Sequence, residues 1–236
     1  MRVGIVVPSF RADTATALRL AARAEGAGLD GVFVYDHLFP IGGAGRPAMH
    51  GPTLVGALLA STKSIRVGTL VSRVGLLPDD LMVATFRTLE AIGPGRIIAG
   101  LGLGDSASDP ERHAYGLERL ALEDRVESLR RVTELLTDDG VEVWIGGRGR
   151  QARDLARAGA TGWNGWDATS AELDEMRAER LVTSWAGPLP NVALEQHITS
   201  SHADWVIYAP VDINRDEAVA GAVIEQIAMA AARSRA

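Results

Sequence analysis

The chain has 236 residues, of which 47% are hydrophobic, a formal net charge of −6 and no cysteine. That length suits one large domain or two small ones, with a substantial core, and the acidic balance argues against a general nucleic-acid binder. The missing cysteine excludes disulfides, thiolate nucleophiles and Cys-ligated zinc or iron–sulfur clusters.

The first strand is expected at Val3–Val7. The apolar run in MRVGIVVPSF is too short for a signal peptide, and no stretch nears the roughly 20 apolar residues of a membrane helix, so the expectation is a cytoplasmic protein without a membrane partner. Asp13 is a plausible N-cap for a helix whose Ala17, Leu20, Ala21 and Ala24 fall on one face, with Gly28 as its stop. Gly31–Tyr35 reads as a strand, Thr53–Ser61 as a helix and Ile65–Val71 as a third strand. A helix from Pro78 to Ile92 precedes the breaker Gly93-Pro94-Gly95, and Arg96–Leu101 is the fourth strand. Leu122, Val126, Leu129, Thr133 and Leu136 step by four and three through a long helix. Strands near Val141–Ile145, Gly162–Asn164, Leu181–Trp185 and Trp205–Tyr208 follow, with helices at Arg150–Ala158 and Ser170–Arg180 and a closing one through Ala220 to Ile227. Eight strands separated by helical connections, in a chain near the usual size of about 250 residues, predict a single-domain (β/α)8 barrel over residues 1–236. An open doubly wound sheet has the same periodicity and stays as the alternative. Residues 167–203 carry the weakest pattern.

Barrel chemistry gathers at the carboxyl ends of the strands, and those ends give the candidates. Strand 2 closes on Asp36-His37, an acid beside a base able to move protons near neutral pH. The same pair also suits a polar loop. Strand 4 closes on GLGLGD, where Gly104 frees the backbone for close approach and Asp105 offers a carboxylate. Strand 5 opens into Gly146-Gly147-Arg148-Gly149-Arg150 and then a helix, a phosphate-binding arrangement of free amides and guanidinium groups. A G-x-G-x-x-A reading of Gly147, Gly149 and Ala152 ranks lower, because four strands come first. Strand 8 closes near Asp212. The five histidines share no metal-ligand spacing, so no metal site is expected.

Taken together, the segments AEGAGLDGVFVYDHLFP, IRVGTLVSRV, LMVATFRTLEAIGPGRIIAGLGLGD, ERLALEDRVESLRRVTELL and VWIGGRGRQARDLARAGATGWN resemble the luciferase-like monooxygenases, especially the branch that uses the deazaflavin coenzyme F420. The likeness covers about residues 1–166. It implies a shortened luciferase-like TIM barrel with the cofactor at the carboxyl end. His37 would then lie near the reactive ring carbon, and Asp36 would support the cofactor or orient His37. Leu70 and Val71, at a place where the deazaflavin branch often has a non-proline cis peptide, would back the ring. Asp105 would stand where a carboxylate donates a proton in sugar-phosphate dehydrogenases of that branch. Gly104, Gly146, Gly147, Arg148, Gly149 and Arg150 would hold the cofactor, with Arg46 and Arg73 toward its anionic tail. Those dehydrogenases carry a Trp shortly after the Asp-His pair, where this chain has Ile41. A small-molecule substrate and a homodimer are expected. FMN is the alternative cofactor, and a non-catalytic flavin-binding protein the alternative role.

Overall fold

The computed structural model describes residues 1–11, 13–40, 43, 45–210 and 216–235. Ile41 and Asp212, both noted in the sequence, lie outside the described residues. The strands are β1 (Arg2–Val6), β2 (Gly31–Val34), β3 (Arg66–Thr69), β4 (Ser72–Arg73), β5 (Ile97–Gly102), β6 (Val143–Gly146), β7 (Gly162–Trp166), β8 (Val182–Gly187) and β9 (Trp205–Tyr208). They run parallel in the order β3-β2-β1-β9-β8-β7-β6-β5, and β3 returns to β5 with Val67 opposite Ile97. That last pairing closes the sheet into an eight-stranded barrel and excludes the open sheet.

The predicted third strand is divided. β3 pairs with the start of β5, whereas β4 pairs with its end, Ser72 opposite Leu101 and Arg73 opposite Gly102. Leu70–Val71 lies between the two pieces, and its peptide bond is cis. The Leu70 amide still donates to the Val34 carbonyl of β2, and β3 and β4 together serve as one barrel strand.

The helices are α1 (Ala15–Gly26), α2 (Gly51–Ser61), α3 (Asp79–Ile92), α4 (Asp109–Ala114), α5 (Leu122–Asp138), α6 (Arg150–Gly159), α7 (Ser170–Ala178), α8 (Leu194–Ser200) and α9 (Glu217–Arg235). α1 shows how the pattern works locally. The Asp13 carboxylate accepts from the Thr16 amide at 3.0 Å, the face Ala17, Leu20, Ala21 and Ala24 is buried, and Gly28 takes φ +84° beyond its end. α9 returns to α1, where Arg19 pairs with Glu217 and Arg23 with Glu225.

Two cores result. The larger lies between barrel and helices. The smaller fills the barrel with Val6, Phe33, Leu70, Ile98, Trp144, Ala186, Trp205 and Ile207. Phe33, Trp144 and Trp205 interlock with ring centroids 5.6–5.9 Å apart. Such large rings fit only because small residues face them. A Cβ at Gly31 would sit 2.8 Å from Trp205, and one at Gly162 2.5 Å from Trp144.

Residues 167–203, the weakest stretch in the sequence, are ordinary barrel repeats. α7 begins with a reciprocal cap between Thr169 and Glu172, and β8 and α8 follow it.

Candidate active site

Because every barrel strand is parallel, the ends of β2, β4, β5, β6 and β7 emerge on one rim. Alternation along β2 sends Phe33 inward and Val34 outward, then Tyr35 toward the barrel mouth, Asp36 outward and His37 back toward the rim. Tyr35 stacks on Phe10 with centroids 5.6 Å apart, and lies 6.3 Å from both His37 and Trp166. Burial pushes the Tyr35 phenol up.

His37 is held by a residue that sequence reasoning missed. Its Nδ1 lies 2.5 Å from Glu111 Oε1. The other Glu111 oxygen accepts from the Leu38 amide at 2.9 Å and from Arg73 Nη2 at 2.7 Å. The same Arg73 nitrogen also donates to the Asp36 carbonyl at 2.8 Å. Glu111 is 1% exposed and Arg73 4%. Burial raises the Glu111 carboxyl, but the His37, Leu38 and Arg73 hydrogen bonds outweigh it and hold the group below its ordinary range. Glu111 sits on the six-residue helix α4, which opens on Asp109-Pro110. A helix of six residues has too little periodicity to stand out.

Asp36 faces elsewhere. Its carboxylate lines a cavity of about 220 Å³ with Ser72, His50, Met82, Phe86 and Tyr115, between the starts of α2 and α3. Burial raises its pKa against the pull of His50, a Ser72 hydrogen bond and the charges of Arg73 and His37.

Asp105 is exposed on the same rim, at the end of β5, where its carbonyl accepts from the Ser108 amide. The turn before it needs φ +70° at Gly104, and a Cβ there would come within 3.2 Å of Arg112 and 3.4 Å of Arg73. Arg112 is 2% exposed, and Arg125 Nη1 donates to the carbonyls of Leu103 and Gly104. Guanidinium groups from α4 and α5 thus brace the loop that presents Asp105.

Val71 occupies a seat made of glycines. A Cβ at Gly102 or at Gly146 would fall 2.6 Å from its methyl groups. Leu70 points into the barrel core.

The glycine–arginine turn divides its residues. The Gly147 amide donates to the Asn164 carbonyl and its carbonyl accepts from the Trp163 indole. Arg148 is bound by Glu172 at 3.0 and 2.8 Å and donates to the Asp167 carbonyl. Arg150 is exposed, with a 3.4 Å contact to Asp154, and the N-cap position of α6, Gly149, supplies no side-chain cap. The donors open to an anion are therefore the first α6 amides and Arg150. Arg46 is exposed, whereas Arg73 is buried and engaged. Among the described residues no cluster has the donors for a metal ion, and no helix is long and apolar enough to cross a membrane.

A sequence model for a family described as luciferase-like monooxygenase matches residues 1–230. The chain is similar to an F420-dependent glucose-6-phosphate dehydrogenase of Beutenbergia cavernae, 31% identical over 219 residues, which cover 83% of this chain and 63% of that protein. The chain therefore spans less than two thirds of that relative. Among solved structures, apo-MsnO8 superposes with a TM-score of 0.75 at 14% identity, over 98% of both chains. An F420-dependent secondary alcohol dehydrogenase in complex with an F420-acetone adduct superposes with a TM-score of 0.66 at 19% identity, over 78% of this chain and 68% of the other. At those identities the structural likeness establishes the barrel alone.

Proposed function

Since the chain belongs to the luciferase-like monooxygenase family, we propose that it is an oxidoreductase working with the deazaflavin F420 on a small organic substrate. One observation carries this reading. His37, the Val71 seat, the Gly104–Asp105 turn and the open start of α6 all lie on the same barrel rim. The named relative supports F420 over FMN as the cofactor.

The residues fit such a group. Val71, pressed on Gly102 and Gly146, offers an apolar surface at the mouth. The first α6 amides and Arg150 would receive the cofactor phosphate. When bound, the deazaflavin supplies or takes up the hydride. The protein then has to hold the substrate at the mouth, exclude water with Phe10, Tyr35 and Trp166, and move one proton. His37 is placed for that proton, because Nδ1 is committed to Glu111 and Nε2 is left for exchange. Asp105, at the end of β5 and one barrel strand away from β2, is the second candidate for proton transfer. A homodimer through the α2–α3 face belongs to the same reading. Leu81 and Ile92 of α3 are exposed apolar residues there, and light scattering tests it.

Turnover of F420 with a panel of alcohols, aldehydes, ketones and activated alkenes tests the proposal, with His37→Ala as the comparison. The variant should lose roughly 10²–10⁴ in kcat while binding the cofactor as before. An unchanged kcat removes His37 from the chemistry.

A further inference from the structure

We infer that Glu111 is the positioning residue of His37, and that Arg73 holds Glu111 ionised and oriented for that task. The catalytic consequence rests on the oxidoreductase reading above. The geometry does not.

A carboxylate this deeply buried is tolerated only where its lone pairs meet donors. Glu111 has three, and they are not scattered. It takes the side chain of His37 and the backbone amide of Leu38, so one carboxylate grips two successive residues. Arg73 grips Glu111 and also the carbonyl of Asp36, the residue before His37. Residues 36, 37 and 38 are thus pinned together by one ion pair between α4 and β4. A ring held through its side chain, with the backbone fixed on either side, has little freedom left in χ1 and χ2.

The pinning also selects a tautomer. An ionised carboxylate only accepts, so His37 Nδ1 must carry hydrogen. Nε2 is then the exchanging nitrogen. When it passes its proton to the substrate oxygen or carbon, the imidazolium becomes the neutral Nδ1–H imidazole, and Glu111 keeps its charge throughout. In the reverse direction Nε2 takes the proton up, and Glu111 stabilises the imidazolium so formed. Asp36 would be the obvious orienting group from sequence adjacency. Its carboxylate lines the cavity between α2 and α3, while the carboxylate within bonding distance of the ring comes from 74 positions away.

Nitrogen-15 NMR of the cofactor-free protein, labelled at histidine and recorded above neutral pH, tests the tautomer directly. His37 should be protonated at Nδ1 and bare at Nε2. A wild-type ring protonated at Nε2 overturns the inference, whether or not any variant folds. Glu111→Gln is the second arm, since its amide can donate to Nδ1 and release hydrogen to Nε2. The folded variant should show that reversed tautomer. With F420 and a turned-over substrate it should lose roughly 10²–10⁴ in kcat, with KM and cofactor affinity within about threefold. Glu111→Asp, which keeps the charge, should recover part of the loss. An unaltered tautomer or an unaltered kcat in folded Glu111→Gln contradicts the assignment. If the protein turns over no F420 while the wild-type ring is Nδ1–H, the cofactor reading fails and the positioning role stands.

Discussion

Asp36 and His37 are neighbours in sequence with different surroundings: the His37 ring nitrogen lies 2.5 Å from Glu111, while the Asp36 carboxylate lines a mostly apolar cavity. The two acids therefore respond to pH with opposite signs. Asp36 has a folded pKa above its ordinary 3.8, so the folded state is favoured while it is protonated. That advantage is lost as pH rises through 3.8 toward the raised value. Asp36→Asn should then raise Tm at pH 7 by a few degrees, on the order of 1 kcal/mol. The difference should fade below pH 3.8. Thermal melts across that range check it.

Glu111 behaves the other way. Its folded pKa lies below the ordinary 4.5, so its contribution is complete above pH 4.5 and is lost as pH falls through the depressed value. Removing one member of a buried pair costs about 3–5 kcal/mol. Glu111→Leu should show a loss of that order at pH 7 in urea melts. The gap from wild type should narrow as the pH is lowered beneath 4.5.

At the amino-terminal side of the barrel, Glu25 accepts from the amides of Lys63, Ser64 and Ile65 and so fixes the entry to β3. Burial works against it, but these amide bonds hold its carboxyl down at about 2. Glu25→Gln should lose about 1–3 kcal/mol at neutral pH. The wild-type advantage should disappear between pH 4.5 and 2, the window in which the unfolded chain takes up the proton first.

Much of the barrel is legible in the sequence because parallel strands buried on both faces read as short apolar runs, and each connecting helix carries one apolar stripe. Val3–Val7, Gly31–Tyr35 and Trp205–Tyr208 fall on barrel strands for that reason. The site is legible in part. Asp36, His37, Asp105 and the glycine–arginine turn stand at strand ends, where composition alone marks them. Glu111, Arg112 and Arg125 are hidden because they are charged residues on helices, where a sequence reader expects a solvated face. Their burial follows from long-range packing against the β4 and β5 ends. Arg148 misleads for the complementary reason. Its partner Glu172 is 24 residues away in a stretch of weak pattern.

That difference separates the two arginines of the turn. Arg148→Ala should reduce stability through the lost link to Glu172 and Asp167, with little change in cofactor affinity. Arg150→Ala should leave stability within about 0.5 kcal/mol and weaken cofactor binding several-fold, more at low salt than at high. Melting curves and cofactor titrations at two ionic strengths distinguish these outcomes.

The Val71 seat gives a steric test. Gly146→Ala places a methyl group 2.6 Å from Val71 and pushes that side chain toward the mouth. Overpacking of this kind costs about 1–3 kcal/mol. Cofactor affinity should fall in the folded variant, because the surface proposed to back the ring has moved. Gly95→Ala, where the added Cβ meets nothing within 4 Å, should leave cofactor affinity unchanged despite its backbone strain at φ +69°.

Titration of the cofactor-free protein with F420 and, separately, with FMN, followed by absorbance and fluorescence, addresses the central claim most directly. Saturable one-to-one binding of F420, much weaker binding of FMN, and loss of F420 affinity in Gly146→Ala are the results expected. Saturable binding of FMN with none of F420, or binding of neither, would contradict it.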